Sequence, residues 1–212
     1  MKKSTLFTVA VAVLVLAFAG AALLHHSAPA GDPVDLTLLA RPHAPTLGSP
    51  QAKVHIVEFL DPACETCAAF YPFVKKLMAE NPDRIRLNIR YAPFHPGSDL
   101  VVKALEAARK QDKYWPALEA LLNSQAEWAP NHTAQIHLAW KPLQRAGVDV
   151  QRALFDMQAP DIEKAIAQDV ADARALNVTK TPEYFVNGRP LPSFGYDPLR
   201  TLVQDTVAYE YR

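Results

Sequence analysis

Cys64 and Cys67 are the only two cysteines in the 212 residues, and they stand two residues apart in "FLDPACETCAAFYP", residues 59–72. Thiols at i and i+3 in the first turn of a helix share one face, close enough for a disulfide to form and open with little backbone change. The unpaired N–H groups and the dipole of a helix N-terminus favour an anion, so Cys64 should ionise below the usual ~8.5. That makes Cys64 the nucleophile. Cys67, a turn deeper, is then the residue that resolves a mixed disulfide by attacking Cys64.

Other uses of the pair fit less well. A structural disulfide closing so small a loop restricts the unfolded chain very little. A structural zinc site needs four ligands, and beyond these two sulfurs there are only scattered histidines such as His55 and His95. Covalent haem requires histidine directly after the second cysteine, where Ala68 stands. The alternative kept beside thiol–disulfide exchange is a binding role: two thiolates suit the soft ion Cu(I), as in an envelope metallochaperone. With only three methionines, the chain has no methionine-rich tract to go with that role.

The elements that must position the pair are legible on either side of it. "KVHIVEFL", residues 53–60, is β-branched and apolar like a strand buried on both faces, and it runs straight into the cysteines. Phe70, Phe73, Val74, Leu77 and Met78 then recur at helical spacing, which predicts a helix from about Cys64 to Glu80, ended by Asn81 and Pro82. "RIRLNIRYAPF", residues 84–94, alternates like a second strand. Between His95 and Asn177 the signals are helical, in residues 98–111, 114–128, 133–147 and 161–176, with Ser98, Thr133 and Asp161 as expected caps and Gly147 as a stop. "PEYFVNGRPL" restores strand character around an Asn187-Gly188 hairpin turn, and a last helix is predicted from about Pro198 to Tyr209.

Composition excludes some partners. The chain is 50% hydrophobic and 21% charged, as a globular domain is, and its 22 basic and 22 acidic residues cancel. Such a balance gives no strong field to attract nucleic acid or an anionic membrane. Lys2 and Lys3 precede an uncharged, largely apolar run to Ala30 that reads as an export signal, with a small-residue cleavage site at "APA", residues 28–30. The stretch 6–24 is also long enough to span a bilayer uncleaved, so a signal peptide and an N-terminal membrane anchor both stay open. Residues 31–52, rich in proline and small residues, read as a linker or irregular lead-in.

"VHIVEFLDPACETC", "TKTPEYFVNG" and "FHPGSDLVVKALEAA" together resemble the DsbA-like, thioredoxin-fold protein-disulfide oxidoreductases of the bacterial cell envelope, over roughly residues 45–205. The resemblance implies an α/β architecture: a thioredoxin fold in residues 53–94 and 178–212, with an all-helical insertion domain in residues 95–177. It implies that Glu58 lies buried behind Cys67 and moves protons for it, and that Pro182 is a cis-proline beside the disulfide, presenting the Thr181 backbone to a bound peptide. Pro72 matches the family's helix-kinking proline. No cofactor or metal is implied. The expected partners are unfolded or partly folded envelope proteins and a membrane redox partner, with the protein itself an exported, periplasmic monomer.

Three residues depart from the family's pattern, one of them Ala63, which stands just before Cys64 where many thioredoxins have tryptophan. Glu65 and Thr66 stand between the cysteines where strongly oxidising members have proline and histidine, and they are expected to tune the redox chemistry. A carboxylate roughly 7 Å from the Cys64 sulfur should raise its pKa by about half a unit to somewhat under two, which predicts a milder oxidant.

Overall fold

The computed structural model describes residues 34–212; the expected leader, residues 1–30, lies outside the described residues. Strands β1 (Thr46–Gly48), β2 (Val54–Leu60), β3 (Ile85–Tyr91), β4 (Glu183–Val186) and β5 (Arg189–Pro190) form one sheet in the order β1-β3-β2-β4-β5. Parallel neighbours need a crossover connection, and helix α2 (Glu65–Glu80) supplies it between β2 and β3, which pair from Val54↔Ile85 to Leu60↔Tyr91. β4 runs antiparallel to β2, with Phe59 opposite Glu183 and Glu58 opposite Tyr184. The β4–β5 turn is Asn187-Gly188, at φ 47° and 82°, the two positive dihedrals that select Asn-Gly in a two-residue hairpin.

Between β3 and β4 the chain is helical: α3 (Ser98–Arg109), α4 (Tyr114–Asn123), α5 (Gln125–Trp128), a short 3-10 turn (Pro130–His132), α6 (Ile136–Arg145), α7 (Val150–Asp156) and α8 (Pro160–Ala175). Helix α9 (Tyr196–Glu210) ends the fold. Among the described residues no helix is long and apolar enough to cross a membrane. Period-2 alternation divides the sheet residues between two apolar clusters. Val54, Ile56 and Leu60 of β2 face α2 and share a cluster with Leu105, Leu118 and Trp128 of the helical segment. Val57 and Phe59 face the other way, onto Ala173 of α8 and Leu39.

Several local expectations shift. On α2 the buried stripe is Cys67, Phe70, Tyr71, Val74 and Leu77, while Phe73 and Met78 are only partly covered. α7 escaped the sequence reading because Ala153 is its one buried residue, too few to make a stripe. Neither Thr133 nor Asp161 is a cap: Gln135 and Ala159 hold those positions. Residues 34–52, the described part of the expected lead-in, carry α1 (Leu36–Leu39) and β1, which pairs with β3. A buried charge network fastens it. Arg90 of β3 donates to Asp169 at 2.7 Å and Asp172 at 2.6 Å on α8, and to the Leu38 and Leu39 carbonyls of the lead-in. Arg41 grips Asp172 through two nitrogens, and His43 lies 2.6 Å from Asp169. Burial opposes the charge on Asp172, yet hydrogen bonds from Arg41, Arg90 and Gln168 hold its carboxyl down to about 2.

Candidate active site

β2 ends at Leu60, a tight turn through Asp61, Pro62 and Ala63 follows, and Cys64 occupies the N-cap of α2 with φ −79° and ψ 115°. Both cysteines are free thiols. Because β4 begins opposite the end of β2, the loop before β4 falls beside this turn. Cys64 Sγ donates to Thr181 O at 3.2 Å, and the Thr181–Pro182 peptide bond is cis. Glu65 and Thr66 are exposed, whereas Cys67 is fully buried. Residues far apart in the chain, Cys64, Cys67, Thr181, Pro182 and Glu58, thus gather at one end of β2.

The two thiols differ sharply in acidity. Cys64 is held down to about 5, chiefly by hydrogen bonding from the Cys67 thiol, and further by the Thr181 side chain and the Cys67 and Thr66 backbone N–H groups, which outweigh the opposing effect of burial. Burial pushes Cys67 well up, and its bond to Cys64 and the nearby Glu58 charge push it further. In the neutral form Cys64 donates to a carbonyl; once ionised it becomes an acceptor, and the amides of the first helical turn are the donors it meets. The exposed Glu65 is not what sets the acidity of Cys64, so the helix terminus and Cys67 replace the expected electrostatic contest.

Glu58 sits on the β2 face that looks onto α2, between Ile89 of β3 and Tyr184 of β4. It is fully buried, and neither carboxyl oxygen, nor the facing Tyr184 hydroxyl, has a hydrogen-bond partner. Burial is the main cause that pushes Glu58 up to about 8, with the Cys64 charge adding to it and the facing Tyr184 hydroxyl opposing it only in part.

Four residues outside the expected site, Asp61, His95, Ser98 and Gln125, secure the turn. The buried Asp61 accepts from Ala63 N at 2.8 Å and from Ser98 Oγ at 2.6 Å through one oxygen, and from His95 N at 2.8 Å through the other, which also lies 2.7 Å from His95 Nδ1. Ser98, expected as a helix cap, therefore spends its hydroxyl on Asp61, and Gly97 (φ 79°) takes the cap position. Only glycine fits there, because a Cβ would stand 2.3 Å from Ala134 O. Gln125 Nε2 donates to Pro62 O at 2.6 Å and Cys64 O at 2.9 Å. Asp61 could have been suspected from its place three residues before Cys64; Gln125 carries no local signal. Among the described residues, no group of three or more His, Cys, Asp or Glu side chains is placed to hold a metal ion.

A family model described as thioredoxin matches residues 41–205. A solved thioredoxin-like oxidoreductase from Silicibacter pomeroyi DSS-3 is 30% identical and superposes with a TM-score of 0.72 over 84% of this chain and 98% of its own. BdbD from Bacillus subtilis, at 21% identity and a TM-score of 0.68 over 86% of this chain and 100% of its own, shares the fold. Among curated proteins, an Na(+)/H(+) antiporter NhaA of Herminiimonas arsenicoxydans is 30% identical over 144 residues, 68% of this chain and 22% of the antiporter. The chain spans about a fifth of the length of the curated relatives it matches, so their transport activity does not come with the match. On the extent of the family match and the architecture that carries it, the chain belongs to the thioredoxin family.

Proposed function

We propose that this protein is an exported thiol–disulfide oxidoreductase that exchanges disulfides with unfolded or partly folded proteins of the cell envelope, acting as a monomer and coupled to a membrane redox partner. The observation that carries the reading is the asymmetry of the pair: an acidic Cys64 at a helix N-terminus beside a buried Cys67 whose thiol resists ionisation. Such a pair divides attack from resolution.

In the reducing direction, Cys64 thiolate attacks one sulfur of a client disulfide, forming a Cys64–client bond and releasing the other client sulfur as a thiolate. Cys67 gives its proton to the ionised form of Glu58, which a pKa of about 8 keeps within reach at neutral pH, and attacks Cys64 Sγ. That closes the Cys64–Cys67 disulfide and frees the second client thiolate, so two electrons have passed to the client. Oxidation of a client is the reverse, with Glu58 returning the proton to Cys67 as it leaves. Thr181 and Pro182 line the approach to Cys64 and offer backbone to a bound peptide.

Purified protein, reduced and oxidised, should exchange with glutathione and catalyse insulin reduction, and both activities should vanish in Cys64→Ala. Wild-type protein that exchanges with neither would refute the assignment. Thiol alkylation in whole cells then reads the physiological direction: a disulfide donor rests oxidised, a reductase or isomerase reduced.

A further inference from the structure

The contacts that fix the redox turn from outside come from the start and the middle of the helical segment. Asp61 is tied to His95 and Ser98, where α3 begins, and Gln125 reaches in from α5. The second link is the more telling. Gln125 is a buried side chain whose single amide nitrogen bonds two backbone carbonyls, Pro62 O at 2.6 Å and Cys64 O at 2.9 Å. Those carbonyls belong to the peptide groups on either side of the Ala63–Cys64 pair, so one amide pins both ends of the segment that aims Cys64 Sγ. An amide –NH2 has two donors, and here both go to the redox turn.

We propose that Gln125 is a positioning residue for Cys64: by clamping the Pro62 and Cys64 carbonyls, the helical segment holds Cys64 Sγ against Thr181 and the first amides of α2, and so sets how readily Cys64 ionises and exchanges. The inference rests on the exchange function proposed above and adds the residue that regulates it. Its physical basis is geometric. The donors that favour the Cys64 thiolate act only at hydrogen-bond range, and a few tenths of an ångström of drift in the turn weakens all of them together. A helix outside the strand–helix unit that carries the motif thereby controls the reactivity of the motif.

Gln125→Leu keeps the bulk and removes both donors. Its Cys64 ionisation constant, read by thiolate ultraviolet absorbance against pH, should fall roughly three- to tenfold, with a matching change in the rate of exchange with oxidised glutathione. Leu143→Ala, a cavity in the same helical core away from the turn, is the control: it should lower stability and leave Cys64 ionisation alone. An unchanged Cys64 in Gln125→Leu overturns the proposal, and so does an equal shift in Leu143→Ala, since general loosening would then explain both. Should Gln125→Leu fail to fold, Gln125→Met, an unbranched side chain of similar length with no donor, should move Cys64 ionisation in the same direction; no movement overturns the proposal. The titration needs no client, so wild-type protein that titrates as described but exchanges with nothing would refute the exchange function and leave the role of Gln125 readable.

Discussion

Replacing Glu58 with glutamine gives the sharpest test of the buried carboxyl behind the pair. In the fold Glu58 keeps its proton up to about 8; in the unfolded chain it releases it near 4.5. Between those values the folded state binds one proton more than the unfolded state, so raising the pH favours unfolding. Each pH unit in the window lowers wild-type stability by about 1.4 kcal/mol, on the order of 5 kcal/mol across the whole interval. Glu58→Gln has nothing to ionise there. Its buried amide brings a fixed offset, since neither Glu58 oxygen has a partner in the fold, but that offset does not vary with pH. Cys64 contributes the opposite slope in the dithiol form, because its folded value of about 5 lies below its ordinary 9.0, and this contribution appears in both proteins and subtracts out. Urea unfolding of both reduced proteins from about pH 5 to about pH 8.5 should therefore show the variant gaining steadily on the wild type as pH rises. A stability difference that stays flat over that range would mean that Glu58 titrates in the fold as it does in the unfolded chain, and would remove the raised pKa that poises it to take up and return the Cys67 proton near neutral pH. If the role is correct, the same variant also resolves mixed disulfides about tenfold or more slowly, the usual scale for loss of a general base.

Cys67→Ala should trap clients as mixed disulfides on Cys64 while Cys64→Ala traps almost none; equal trapping by the two, seen on non-reducing gels, would undo the division of labour. Thiolate titration should find Cys64 ionising near 5, and Glu65→Gln should change that value by less than about half a unit, because an exposed carboxylate is screened by water and salt. Arg90→Leu leaves Asp169 and Asp172 buried without their central cation and should cost about 3–5 kcal/mol in urea unfolding at neutral pH. In the wild type, the part of the stability that comes from Asp172 is fully present above its ordinary 3.8 and is lost as the pH falls through about 2, so the stability gap between wild type and Asp172→Asn in urea unfolding should narrow as the pH falls over that range.

Local chemistry was legible in the sequence wherever neighbours in the chain decide it. The spacing of Cys64 and Cys67, the apolar run of β2, the period of α2 and the Asn187-Gly188 turn each depend on a few consecutive residues, and each stands close to where the spacing placed it. The membership of the site came from further away. Thr181 meets Cys64 because β4 runs antiparallel to β2 from Glu183, a register that pairing of two distant strands decides. Gln125 reads as an ordinary helical residue and Ser98 as a helix cap, and only the packing of the helical segment against the redox turn gives their polar atoms to Asp61, Pro62 and Cys64. The weight of Glu65 could be overestimated from spacing alone, since its distance to Cys64 is fixed by the helix but its exposure is not. The burial of Glu58, of Cys67 and of the Arg90 network likewise depends on what covers them, and that burial, acting through desolvation, is what separates the acidities on which the chemistry runs.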